Sequence, residues 1–179
     1  GWSAGRAGGV GDEAGGDEDL RQALSEFQGV ADEYDGIVGA DLARLEAGHV
    51  HMQLGEYDQA SESYGQAAGS ASTMVKTLAL NGKATALESA ERYDEQQQTL
   101  RERMTVAAGP VVEYAYLDLI RAHELAGDTD GAMGVCREFE EKLPDSPLIT
   151  DVQGKIRTLG GEPGELQTEA VEGAEEGTS

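Results

Sequence analysis

Several short stretches of this sequence bring chemically capable residues together, and each lacks a member that its chemistry needs. His49 and His51 offer two imidazoles. Two residues apart on a helix they point to different faces, which makes a poor metal pair, and His51 is expected to pack at the core or its boundary. His123-Glu124 opens like the helical zinc-protease motif, but Gly127 stands where the second histidine is required. Gly82-Lys83 matches the end of a phosphate-binding loop, yet Thr77 replaces the upstream glycine and Ala84 the magnesium-holding hydroxyl. Asp128-Thr129-Asp130-Gly131 carries part of a calcium-loop pattern without its third acidic ligand or its terminal glutamate, so Asp128 is expected to cap a helix instead. Cys136 is the single cysteine. It excludes an intrachain disulfide, and its place on an apolar helix face predicts a packed, inert thiol. No Ser, His and Asp set is suggested by any local motif. The expectation is a protein without catalytic residues, cofactor or metal.

Charge narrows the partners. The formal net charge is -22, of which residues 18–159 carry -14, so the acidity belongs to the body of the chain and not only to its ends. Phosphate backbones are gripped with Lys and Arg, so nucleic acid is excluded as a partner, and anionic lipid head groups are repelled. Protein partners remain, basic ones or subunits of a membrane complex, as does self-association into a homo-oligomer. No run of 18 apolar residues is present to span a membrane. The chain begins at Gly1 and not at Met, and an upstream signal or anchor is expected.

Pro is scarce at 4 residues and aromatics make up 5%; Ala, Leu, Glu and Gln dominate the middle, which favours helix. No stretch alternates apolar and polar residues over strand length, so no sheet is expected. Residues 1–16 read as a flexible glycine-rich leader, 17–160 as one helical domain and 161–179 as an acidic disordered tail. Within the domain, apolar positions at three- and four-residue steps predict helices over 18–34, 37–54, 58–68, 73–90, 94–107, 110–126, 129–143 and from about 147 to 159. Asp35-Gly36, Gly55, Gly69-Ser70, Gly109-Pro110, Gly127 and Pro144 to Pro147 separate them.

The turns recur. Leu54-Gly55-Glu56-Tyr57-Asp58, Ala90-Glu91-Arg92-Tyr93-Asp94 and Ala126-Gly127-Asp128-Thr129-Asp130 lie 36 residues apart. A fixed period of this length marks a helical repeat. Around the turns stand Gly48-x-x-His51, Ala60-x-x-x-Tyr64 and Ala67 in one copy, and Ala132-x-x-x-Cys136-x-x-Phe139 followed by Pro144 in another. The leading helix repeats the spacing as Ala23, Phe27 and Val30. In this pattern the chain resembles the tetratricopeptide repeat (TPR) family. The resemblance implies an all-α, right-handed solenoid of antiparallel helix pairs, about eight helices in all, with Gly48, Ala60, Ala84 and Ala132 at close crossings and Tyr64, Leu100 and Cys136 filling the space between pairs. Gln96, where the pattern has Ala, and Ile120, where it has a small residue, depart from it.

What such a fold implies functionally is a concave groove lined by the first helix of each pair. Mapped by repeat position, the groove would present Leu42, Leu45, His49 and Met52, then Leu78, Asn81, Thr85 and Glu88, then Tyr114, Leu117, Arg121 and Glu124. Its mixed apolar strip suits an amphipathic helix or an extended segment. The carboxylate clamp of chaperone-binding relatives is not matched, since its positions hold Leu45, Asn81 and Arg121 without paired lysines. The glycine-rich leader and the junction Lys142-Leu143-Pro144-Asp145-Ser146-Pro147 are similar to those of bacterial envelope members, such as ancillary Sec-translocon subunits and outer-membrane assembly proteins. That implies a periplasmic scaffold held by an upstream membrane helix; the alternative is a soluble cytoplasmic adaptor within a larger complex.

Overall fold

The computed structural model describes residues 10–106 and 109–164. Among these, eight helices and no strand are found: α1 Val10–Glu33, α2 Val38–Gln53, α3 Tyr57–Ala67, α4 Thr73–Ser89, α5 Tyr93–Val106, α6 Pro110–Leu125, α7 Thr129–Lys142 and α8 Ile149–Thr158. Each helix packs on the next in chain order, and α2 also lies against α4. The chain is thus a succession of stacked helix pairs.

The three-residue turns after α2, α4 and α6 share one geometry. The third turn residue returns its N–H to a carbonyl five residues back: Glu56 to His51 at 2.9 Å, Arg92 to Leu87 at 2.8 Å and Asp128 to His123 at 2.9 Å. The residue before it adopts a left-handed backbone, with φ of 71° at Gly55, 57° at Glu91 and 73° at Gly127. This closure satisfies helix-end carbonyls that would otherwise lack partners. Glu91 is the one non-glycine residue with positive φ among those described, so the middle copy forms the turn against its side chain's preference. Helix starts follow the local chemistry. Ser72 Oγ accepts the Val75 N–H, Asp128 Oδ1 accepts the Gly131 N–H at 2.9 Å, and Pro110 sits in the first turn of α6.

Two expectations about the ends are corrected or bounded. The leader expected over 1–16 is helical from Val10 onward. A helix already nucleated extends at the gain of one hydrogen bond per residue. The tail expected from 161 begins with an anchored stretch: the Gly164 N–H donates to Glu140 at 3.0 Å and its carbonyl accepts from Gln153 Nε2 at 3.0 Å. The disorder expected of residues 1–9 and 165–179 lies outside the described residues.

The core forms in two parts. One gathers Leu45, Ala60, Tyr64, Ala67, Ala79 and Leu80 from α2, α3 and α4. The other gathers Leu100, Tyr116, Leu119, Phe139, Val152 and Ile156 from α5 to α8. Tyr64 is wedged between glycines of two helices. A Cβ built on Gly48 of α2 or on Gly82 of α4 would come within 2.6 Å of its ring. Gly82 therefore serves packing. Cys136 is wholly buried, and burial pushes its thiol up to about 11.

α5 breaks the pattern. Gln96, Thr99 and Arg103 are buried on its inner face. At the equivalent positions 36 residues before and after Gln96 and Arg103 stand Ala60 and Ala67, and Ala132 and Phe139. The centre of the stack is thus polar where its flanks are apolar.

Candidate functional site

The face shared by α2, α4 and α6 is built from the same helix positions taken three times. Residues one period apart form rows across it. The first row is Leu42, Leu78 and Tyr114, which are 40%, 50% and 57% exposed. One turn earlier, Val38 and Met74 are exposed as well. Large apolar side chains rarely stay in water in register on successive helices, so these rows form an apolar ladder along the beginnings of the three helices.

The opposite end of the face is polar. The row of His49, Thr85 and Arg121 is exposed, while Met52, Glu88 and Glu124 are half-buried. His49 lies edge-on to Tyr64 with ring centroids 5.4 Å apart. Glu124 accepts from Lys155 of α8 at 3.1 Å. Glu88 accepts from Gln96 Nε2 at 2.9 Å and pairs with Arg121, tying α4 to both α5 and α6.

The row between them corrects one expectation. Leu45, placed in the groove by repeat position, is 3% exposed and belongs to the core. It joins the buried cluster that α2 shares with α3 and α4. Its counterpart Asn81 is exposed and accepts from Arg103 Nη1 at 2.9 Å, and Leu117 is half-buried against the second core.

Arg103, Asp118 and Gln96 were not among the groove residues expected, yet they meet beneath it. The Arg103 side chain is 7% exposed and reaches Asp118 Oδ2 at 3.0 Å. With Asn81, Glu88 and Arg121 these residues line a cavity of about 120 Å³ among α4, α5 and α6. The signal for it lay in the period: two polar residues seven apart on α5, hence on one face, occupy positions that are apolar in both flanking repeats.

The histidines take structural parts. His51 is buried, with Nδ1 2.7 Å from Glu56, and His123 Nδ1 lies 2.8 Å from Asp128. Each closes its turn from the last coil of the preceding helix onto a carboxylate. The His51 bond, chief among its influences, holds the Glu56 carboxyl below the usual range; the Gly131 N–H first and His123 second do so for Asp128. Among the described residues no three of His, Cys, Asp and Glu come together as a metal-holding group, and no helix is long and apolar enough to cross a membrane. No protein-family model matches the chain, and comparison with curated proteins gives no match.

Proposed function

We propose that this protein is a non-catalytic interaction scaffold of the tetratricopeptide type, which binds a helical or extended protein segment along the α2–α4–α6 face. The observation that carries the reading is the exposed apolar ladder of Leu42, Leu78 and Tyr114, flanked by Val38 and Met74. An amphipathic segment would bury its apolar side on that ladder, and with a net charge of -22 on the scaffold its polar side is basic. The Pro144-Asp145-Ser146-Pro147 junction favours a place in the bacterial cell envelope, on the periplasmic side.

Selection of a random 12-residue peptide library on the immobilised chain tests the binding. Recovered peptides should carry apolar residues at helical or alternating spacing beside Lys or Arg. They should lose about tenfold or more in affinity on Leu78→Glu, a surface change expected to shift stability by no more than about 0.5 kcal/mol. Peptides that lack apolar positions, or that bind Leu78→Glu unchanged, would remove this face as the binding surface.

A further inference from the structure

Among the described residues, the first helix of the stack is covered on one side only. α3, α5 and α7 each pack between the helix before and the helix after, whereas α1 packs along α2 alone. The core positions of these helices show the consequence. They are Ala60, Tyr64 and Ala67 in α3, Gln96, Leu100 and Arg103 in α5, and Ala132, Cys136 and Phe139 in α7, and all are buried. By spacing, their α1 counterparts are Ala23, Phe27 and Val30. Ala23 and Phe27 are only half-buried, and Val30 is 41% exposed. α1 thus carries the core face of a doubly flanked helix with half its cover.

The residues around α1 define the open side. Gln28 and Asp32 line the cleft toward α3, and Arg21, the one base of α1, reaches Glu56 at the start of α3 at 3.2 Å. By helical rotation Val30 lies opposite all three. Leu20, Phe27 and, just past the helix end, Tyr34 recur at seven-residue steps with Ala23 and Val30 between them, the a and d pattern of a helix seam. Asp19, Glu26 and Glu33 recur at the same step along the outer edge of that seam, and all three are exposed. This acidic row decides the partner. A second copy of α1 paired antiparallel would set the row against itself. Paired parallel, it would meet Asp17, Leu24 and Ala31, which include no base. The ends of the chain do not supply the complement either, since residues 165–179 hold no base and residues 1–9 only Arg6.

We propose that the open side of α1 docks a basic amphipathic helix of another protein, so that α1, like α3, lies between two helices. The apolar residues of that helix, at a and d spacing, bury Ala23, Phe27 and Val30, and Lys or Arg beside them pair with Asp19, Glu26 and Glu33. Exposed ion pairs of this kind add little affinity but reject partners of the wrong charge. The seam therefore holds the helix and the acidic row selects it. This surface is separate from the ladder of α2, α4 and α6 and does not depend on it.

The probe is a synthetic three-heptad peptide with Leu at a and d and Lys at e and g, whose lysines keep it from pairing with itself. A second peptide carries Glu in place of every Lys. Binding to the full chain is read by fluorescence anisotropy at physiological salt, which screens diffuse attraction. The Lys peptide should bind saturably and the Glu peptide should not. Val30→Lys should weaken binding about tenfold or more, whereas Gln28→Lys, which adds the same charge on the α3 side of α1, should change it by less than about threefold. Leu78→Glu, on the ladder, should also leave it within about threefold. Replacing Asp19, Glu26 and Glu33 together by Lys should reverse the preference, so that the Glu peptide binds although the chain as a whole stays acidic. No saturable binding would overturn the proposal. Equal losses in Val30→Lys and Gln28→Lys, or a Lys preference that survives the triple replacement, would overturn it by showing attraction to net charge alone. A loss confined to Leu78→Glu would place the peptide on the ladder and remove the α1 site while leaving the ladder reading intact. A dimer of the native chain in sedimentation that Val30→Lys dissolves would give the α1 side to a second copy instead. Failure of the ladder to select peptides leaves the α1 measurements to decide this site.

Discussion

Gln96 and Gly82 are the two residues whose roles depend most on distant neighbours, and each gives a test. Replacing Gln96 by Met removes the unpaired buried acceptor and keeps the volume, while Glu88 retains Arg121 as partner. The variant should be more stable by about 1 kcal/mol in urea unfolding. A loss of that size would mean that the amide is already satisfied in the protein. Gly82→Ala should act the opposite way. Its new methyl falls 2.6 Å from the Tyr64 ring, which cannot retreat because Gly48 closes the other side; the overpacking should cost about 1–3 kcal/mol. Much of the face was legible in the sequence, because repeat position alone placed Leu42, Leu78 and Tyr114 on one row and all three are exposed. Leu45 was misplaced because whether a residue at the edge of a helix face is covered depends on how neighbouring helices pack, and here it joins the cluster shared by α2, α3 and α4. Gly82 was legible only as a failed phosphate loop. Its packing role comes from an aromatic ring on α3, and no local pattern encodes that contact.

At the scale of the helix and its turn, the sequence reads more fully, because start and stop signals are local. Asp128, Ser72 and Pro110 open helices where their chemistry predicts, and Gly55 and Gly127 close them in the left-handed conformation. The beginning of α1 was not legible, since a glycine-rich composition argues against helix while extension from an existing helix costs little. The middle turn was recognisable by spacing although it lacks the glycine. Glu91 holds φ at 57° there, a conformation disfavoured by about 1–2 kcal/mol for a side chain with a Cβ. Glu91→Gly should therefore raise stability by about 0.5–1 kcal/mol net of the entropy that glycine loses on folding. An unchanged or lowered unfolding midpoint would show that the Glu91 side chain has a stabilising contact of its own. The helix crossings are tested by Ala60→Leu and Ala132→Leu. Both alanines are fully buried, and each substitution should cost about 1–3 kcal/mol. A thermal melt unchanged in both would refute the repeat register.

For the whole molecule, the question is how a chain of net charge -22 responds to acid. Protonation has two opposed effects. It relieves repulsion among carboxylates crowded on one small body, and it dissolves the ion pairs that join helices. Glu138 isolates the second effect. Burial favours its neutral form, but hydrogen bonds from Lys142 at 2.8 Å, Arg101 at 2.5 Å and Tyr116 at 3.0 Å outweigh burial and hold the carboxyl down to about 2, from an ordinary 4.5. Those partners lie on α5, α6 and α7, so the carboxylate links three helices. A group with a lowered value in the folded protein contributes stability that is fully present above its unfolded value and is lost as pH falls through the folded one. The contribution of Glu138 is thus intact above about pH 4.5 and gone near pH 2, and it amounts to at most about 3 kcal/mol. Asp35, Glu56 and Asp128 are shifted in the same direction, so their pairs too contribute stability at neutral pH that is lost in acid. Comparing the native chain with Glu138→Gln at each pH cancels the general relief of repulsion, which both proteins share. The two urea midpoints should differ most at pH 7, converge between pH 4.5 and 2, and coincide below. A gap that stays constant across that range would mean that Glu138 acts by packing and not by charge. A native chain that gains stability steadily down to pH 2 would show that repulsion among its acids outweighs every ion pair linking its helices.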